Sequence, residues 1–194
     1  EKYVGVFTGN RLSDRVSDGI RVAEWQASRV GLIDVQLTVR PFSVVENSGI
    51  FLYHLDDPAS QKAAGDILGF STKLLSFYTK NYKELSASSQ LHIAELPRFA
   101  SGISSGNMVG ITSGQWRSFS VSDEDIELEL LVAHELVHPF VQSEITGKSP
   151  LSAFIIEGLP SYYHLHALAG ILGETWYQNH MKWIEKSYLT KRRT

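Results

Sequence analysis

The chain of 194 residues contains no cysteine, which excludes a disulfide framework, a thiolate metal site and a cysteine nucleophile. It also has no apolar run near the ~18 residues that a membrane-spanning helix needs. Neither sign of charge dominates, because 18 basic and 21 acidic residues leave a net charge of −3. This weakly acidic balance argues against nucleic acid or an anionic membrane as the partner. With 43% hydrophobic residues, the composition is that of a folded globular chain.

The start of the sequence has neither a Met nor the basic and apolar segments of a signal peptide. The length favours one domain. We therefore expect residues 1–194 to form a single domain that is processed, or cut from a longer chain. We also expect a soluble protein, whose oligomeric state and compartment the sequence leaves open, with secretion or a periplasmic location among the options.

Strand patterns dominate the first part of the sequence. Apolar and polar residues alternate over 35–39, which predicts a half-buried strand, and β-rich runs predict further strands over 49–55 and 91–96. Residues 16–30 fit no single pattern, and no structure is predicted for them. The Gly- and Ser-rich stretch 101–114 is expected to contain a short edge strand at 109–112.

Helical patterns follow. Asp57 is a suitable cap, Pro58 suits a first helical position, and the apolar spacing predicts an amphipathic helix over 58–80. Ser122 and Asp125 form a capping box at the start of the next predicted helix. Further helical segments are expected at 151–158, 160–172 and 174–188. Strands followed by helices indicate an α+β fold.

The helix after Ser122 contains His134-Glu135-Leu136-Val137-His138. Residues four apart share one helix face, so both imidazoles can bind one ion, with Glu135 beside it. The alternative is an exposed helix with two surface histidines. Pro139 removes a backbone donor, so we expect the helix to kink or end there, with His138 just before the break.

A candidate third ligand is Glu157, which eighteen residues separate from His138. It stands in the apolar run 154–159, where a lone carboxylate is costly unless it meets a cation, either a metal ion or an Arg or Lys. Two His and one Glu form a known ligand set of catalytic zinc, with a fourth position open for water. His134, His138 and Glu157 are therefore candidate ligands of one zinc ion, with an Arg or Lys partner of Glu157 as the alternative.

These motifs resemble the gluzincin aminopeptidases, the aminopeptidase N-like family. Beyond the H-E-x-x-H motif, the gap and the Glu-Gly pair, Ile156–Tyr162 follows the family's second helix in outline. Upstream, Leu96-Pro97-Arg98-Phe99 and the Gly-rich stretch match its strand, Pro-x-Phe and Gly-rich segment. The resemblance implies a zincin, thermolysin-like catalytic domain, in which an N-terminal mixed sheet with a helix precedes a helical half carrying the zinc helix.

The resemblance also implies an activity and roles for single residues. The protein would be a zinc metallopeptidase acting on a peptide or protein substrate. His134, His138 and Glu157 would bind the zinc. Glu135 would not be a ligand but the general base, polarising the metal-bound water and passing its proton to the leaving amine.

The chain departs from the family at several positions. The stretch 102–107 lacks the family's amine-binding Glu, so preference for a free N-terminus stays open. No tyrosine is assigned to oxyanion stabilisation, and Tyr162 and Tyr163 are expected to pack or line a pocket wall. These departures leave two alternatives: a degenerate zinc-binding domain that binds peptides or proteins without turnover, and a zinc hydrolase acting on a non-peptide amide or an epoxide.

The remaining histidines receive separate predictions. His164 follows Glu157 by seven residues, at a position that is often acidic in the family, and is a candidate for the wall of the cleft. His166 does not share its helix face. Structural or exposed positions are expected for His54, His92 and His180.

Overall fold

The structure of the protein is a computed structural model that describes residues 3–27, 36–82, 90–97, 102–119, 127–141 and 154–191. The strands in these ranges are β1 (Val4–Phe7), β2 (Asn10–Ser17), β3 (Ile20–Gln26), β4 (Leu37–Arg40), β5 (Phe42–Asn47), β6 (Ile50–Leu55), β7 (Leu91–Leu96), β8 (Gly102–Ser105) and β9 (Met108–Thr112). The helices are α1 (Pro58–Asn81), α2 (Ser113–Ser118), α3 (Glu127–Val141), the π-turn (Phe154–Gly158), α4 (Leu159–Leu172) and α5 (Glu174–Lys191). This mixed content is compatible with the α+β class. In the described ranges, no helix combines the length and apolar character needed to cross a membrane.

A five-stranded mixed sheet, in the order β5-β6-β7-β9-β8, carries the fold. Strands β6, β7 and β9 are parallel, and β5 and β8 are antiparallel to their neighbours. The strands predicted at 49–55 and 91–96 are confirmed as β6 and β7. The prediction of an edge strand at 109–112 is wrong, because the chain turns at Gly106 and β8 pairs along the outside of β9. The edge strand is therefore β8, and β9 is buried along its whole length.

Helix α1 crosses from β6 to β7, as a connection between parallel strands requires. Its predicted start is confirmed: Asp57 Oδ1 accepts a hydrogen bond from Ser60 N at 3.0 Å, and Pro58 occupies the first position. The apolar face of α1 packs on the sheet through Ile67, Leu74 and other buried residues. This main core also includes α3 and α4, so one packed layer joins the sheet to the helices that carry the candidate site.

Two small two-stranded sheets precede the central sheet: β1 pairs with β4, and β2 pairs with β3. Residues 16–26 of the unassigned stretch thus belong to a hairpin, whose turn at Asp18 and Gly19 has positive φ at both positions. Strand β4 confirms the predicted strand over its described part, while Val35 lies outside the described residues. Its predicted buried face is wrong, because Leu37 and Val39 are exposed. They line an open groove of about 530 Å³, since among the described residues β4 pairs only with β1 and no layer packs on this face.

Helix α3 packs against α1, α4, β8 and β9. It does not end at Pro139 but continues to Val141. Pro139 falls in the last turn, where few backbone bonds remain to be broken. Phe140 is buried against Tyr78, with ring centroids 5.5 Å apart, and this packing favours continuation. The expected capping box at Ser122 and Asp125 lies outside the described residues, as do residues 151–153 of the predicted segment 151–158. The described part of that segment is the π-turn, and the later predictions correspond to α4 and α5.

Candidate metal centre

Two histidines lie on the same face of α3. His134 and His138 stand one helical turn apart, and their Nε2 atoms are 3.1 Å from each other. His138 is buried and His134 is half-buried. The alternative of two surface histidines is therefore wrong for these residues.

Glu157, which lies in the π-turn, has its carboxylate next to these two imidazoles. Its Oε2 lies 3.1 Å from His134 Nε2 and 4.0 Å from His138 Nε2. Ligands bound about 2.0–2.1 Å from a tetrahedral zinc are about 3.3–3.4 Å from one another. The three separations, 3.1, 3.1 and 4.0 Å, bracket that value. The ligand triad, His134, His138 and Glu157, can therefore hold a metal ion.

The environment of Glu157 differs from the sequence prediction. Its apolar neighbours suggested a buried carboxylate, yet its side chain is 64% exposed, and Phe154 is exposed to the same degree. The π-turn carries these residues at the surface, beside α3. Within the described part of the chain, the basic side chains found within 4.0 Å of the Glu157 carboxylate are the two histidines, which is not the Arg or Lys pairing considered as the alternative.

Glu135 lies next to the triad but faces the sheet edge. It is buried, and its carboxylate lies against Gly102 of β8, where an added Cβ would come within 2.8 Å of Glu135 Oε1. Burial, together with the negative charge of Glu157, raises the pKa of Glu135 to about 7. A carboxyl group with this pKa can both accept and release a proton near neutral pH.

The Nδ1 atoms of the two triad histidines have different surroundings. Burial and the neighbouring His134 lower the pKa of His138 to about 4, so its ring is in the neutral form that binds metals. Its Nδ1 is buried without a hydrogen-bond partner among the described residues. His134 Nδ1, in contrast, lies 3.3 Å from Nδ1 of His164.

His164 is the residue whose importance the sequence analysis underestimated. It is buried on α4, and burial, with His134 as a second cause, lowers its pKa to about 3. The sequence feature that indicated its place near the triad is its spacing of seven residues from Glu157, which is about two helical turns. The contact of Gly102 with Glu135 had no sequence signal, because it depends on how β8 lies along α3.

The other candidate residues lie elsewhere. Tyr163 packs against Tyr82, with ring centroids 4.8 Å apart, as expected for a packing residue, while Tyr162 is exposed. Asn107, which ends the stretch 102–107 compared with the family's amine-binding segment, bonds to the backbone of Gly9 and Gln90. It therefore connects the N-terminal strands to the sheet.

A scan of the sequence against known protein families finds no match, and a search of curated proteins finds none either.

Proposed function

We propose that the protein is a zinc metallopeptidase that hydrolyses peptide bonds, with a zincin, thermolysin-like catalytic domain similar to the aminopeptidase N-like family. One observation carries this proposal: two histidines of α3 and a glutamate of the π-turn converge to within 4.0 Å beside a second, buried glutamate. The residues of the H-E-x-x-H motif and the distant Glu thus lie close together, although Glu157 follows His134 by 23 positions in the sequence.

Zinc is the metal that this donor set favours. Two imidazoles and one carboxylate are the protein ligands of thermolysin-type zinc, and three protein ligands leave a fourth position for water. The separations within the triad suit a tetrahedral ion. Magnesium and calcium prefer sites built from oxygen ligands alone, so they fit these residues poorly.

Glu135 is the proposed general base. A bound zinc would supply a water of lowered pKa and polarise the scissile carbonyl. Glu135 would then take the proton of that water and deliver it to the leaving nitrogen. Two observations support this role: Glu135 is buried, and its carboxylate lies against Gly102 of β8.

Strand β8 is the proposed site for the substrate backbone. It is the edge of the described sheet, so the side facing away from β9 has no strand partner in the described ranges. An extended peptide can add to such an edge through main-chain hydrogen bonds. Because Gly102 lies against Glu135, a peptide on β8 would pass close to the proposed base.

The test is hydrolysis of a broad peptide library by zinc-loaded wild type and Glu135→Gln. We expect the wild type to cleave and the variant to lose on the order of 10³-fold in rate, the scale of general-base catalysis, while keeping its zinc. Glu174→Gln, an exposed change at the start of α5, is the matched control and should cleave like the wild type.

Two outcomes would contradict the proposal. Equal cleavage by Glu135→Gln would remove the proposed base. A zinc-loaded wild type that cleaves no member of the library would favour the alternative, a degenerate zinc-binding domain that binds peptides or proteins without turnover.

A further inference from the structure

The open groove on the N-terminal strands has a volume of about 530 Å³, and none of its lining residues belongs to the candidate metal centre. Pockets that bind small ligands typically enclose about 300–1,000 Å³. The larger side chains of its walls are apolar or aromatic, namely Tyr3, Phe7, Trp25, Leu37 and Val39. Exposed apolar surface of this kind is typical of a binding site.

One charged side chain lines the groove, that of Arg21 on β3. Its Nε and Nη2 atoms each donate to the Asp14 carboxylate at 2.7 Å, and Asp14 also accepts from Arg11 at 3.2 Å. Among the described residues, no hydrogen bond engages Nη1 of Arg21. Asp14 is not a lining residue, so the groove presents a cation and no anion. An apolar ligand that carries a carboxylate would match this lining.

The shape of the groove suits an extended chain. Tyr3, Gly5 and Phe7 alternate along the N-terminal strand, and Leu37 and Val39 do the same on β4. An extended peptide has the same two-residue period, so its alternate side chains could follow these walls. In the described ranges β4 pairs only with β1, so its outer edge can also offer main-chain hydrogen bonds.

Contacts directly after Phe7 connect the groove to the sheet edge proposed for the substrate. Thr8 is buried, and its Oγ1 lies 3.1 Å from Ser105 Oγ at the end of β8. Gly9 N donates to Asn107 Oδ1 at 2.7 Å, and Asn107 Nδ2 donates to Gly9 O at 3.0 Å. These contacts hold the end of β8 beside the strand that forms one wall of the groove.

We propose that the groove binds a short extended peptide segment that is apolar and carries a carboxylate, and that it is a second binding site for substrates of the peptidase. The role in substrate binding rests on the proposed function, while the binding itself does not. Gly102 lies beside Glu135, and Ser105 follows it by three residues, about 10 Å of extended chain. A peptide that occupies both β8 and the groove would gain affinity from both.

The binding test is calorimetry with the probe N-acetyl-Leu-Thr-Val-Thr-Glu-amide and its neutral analogue, in which Gln replaces Glu. All proteins carry Glu135→Gln, so that the probe is not cleaved. The acidic probe should bind about 10-fold more tightly than the neutral one, because Arg21 gains a charged acceptor. Val39→Asp should weaken binding of the acidic probe by at least about 10-fold, since it adds a negative charge and removes an apolar contact. Val22→Asp is the matched control: Val22 is 44% exposed but does not line the groove, so affinity should not change.

Several results would overturn the proposal. They are equal affinities for the two probes, no binding of either probe, or unchanged affinity in a folded Val39→Asp. If Val39→Asp fails to fold, the two probes still decide the outcome on the unsubstituted groove. A concentration-dependent dimer that Val39→Asp abolishes and Val22→Asp keeps, without probe binding, would assign the groove to a second copy of the chain.

Hydrolysis tests the role in substrate binding. A peptide that the wild type cleaves is extended at either end through a Gly/Ser linker with the acidic probe sequence. One of the two extensions should lower KM about 10-fold with kcat unchanged, because binding far from the cleaved bond acts on substrate and transition state alike. Val39→Asp should abolish this gain. Unchanged KM for both extensions would contradict the second site.

The outcomes separate this inference from the proposed function. Probe binding by a protein that cleaves no peptide defeats the proposed function and the role in substrate binding, and leaves the peptide site in place. Peptide cleavage without probe binding defeats the inference and leaves the proposed function in place.

Discussion

Two regions of this molecule that contain buried histidines surround them differently. In β7, the ring of His92 is enclosed by aromatic side chains: it stacks on Phe51 at 5.2 Å, meets Trp25 edge-on at 4.8 Å, and its Nδ1 lies 3.1 Å from the Tyr53 hydroxyl. Burial lowers its pKa to about 3. At the junction of α3 and α4, burial also lowers the pKa values of His138 and His164. Both of these rings lie against the ring of His134.

The difference shows what marks a candidate metal site. A buried, neutral imidazole with a depressed pKa is common to both regions, so these properties alone do not point to a function. The junction of α3 and α4 is distinguished by convergence: three imidazoles and a carboxylate have ring nitrogens and oxygens 3.1–4.0 Å apart. Such a set of lone pairs is favourable around a cation and poorly matched without one.

The largest expected effect separates the two regions directly. His138→Ala removes a proposed ligand, so zinc affinity should fall by well over 100-fold, beyond the range of an outer-shell loss. His92→Asn, which leaves an acceptor for the Tyr53 hydroxyl, should bind zinc like the wild type. Competition with a chelator measures the zinc affinity of both variants. Comparable losses of affinity in the two variants would contradict the distinction between the two regions.

A second prediction concerns the sheet edge beside the metal site. In Gly102→Ala the new Cβ would lie 2.8 Å from Glu135 Oε1, so the carboxylate must move. Because misplacement by about 1 Å can cost about 10²-fold in rate, peptide hydrolysis should fall about 10- to 100-fold with zinc content unchanged. Gly114→Ala is the matched control, since a Cβ there meets nothing within 4 Å. Equal rates of hydrolysis for the two variants would show that Gly102 is not needed to position the Glu135 carboxylate.

A third prediction concerns the acid sensitivity of the β-rich region. The pKa of His92 is lowered from 6.5 to about 3, so between these pH values the unfolded chain binds a proton that the native protein does not. The stability contribution of neutral His92 is therefore complete above pH 6.5 and is lost, by at most about 1.4 kcal/mol per pH unit, as the pH falls toward 3.

Urea unfolding of the zinc-free protein at several pH values tests this prediction. His92→Asn should show a shallower decline in the free energy of unfolding than the wild type between pH 6 and 4, because one proton fewer is taken up. Parallel declines would mean that His92 is not neutral in the native protein.

The parts of the site that follow from local geometry were predictable from the sequence. The pairing of His134 with His138 needs only the helical period, and the start of α1 needs only Asp57 and Pro58. Glu157 was predicted from its spacing, but the reason from burial was wrong. Apolar neighbours indicate burial only when a layer covers them, and the π-turn leaves Phe154 and Glu157 exposed.

Features that depend on tertiary arrangement were not predictable. The place of β9 inside the sheet depends on β8 pairing outside it, and the exposure of one face of β4 depends on how the other described elements pack. The contact between His164 and His134 depends on how α4 packs against α3. Hydrophobic periodicity and secondary-structure propensity describe one helix or strand at a time, so they carry no information on how these elements pack against one another.

The central claim, a metal bound by residues of α3 and the π-turn, is tested most directly by metal content. Elemental analysis should compare the wild type and His134→Ala, both purified without added metal. The account predicts about one zinc per wild-type chain, the content of a single three-ligand site, and its loss in the variant. No zinc in either protein after reconstitution, or equal zinc in both, would contradict it.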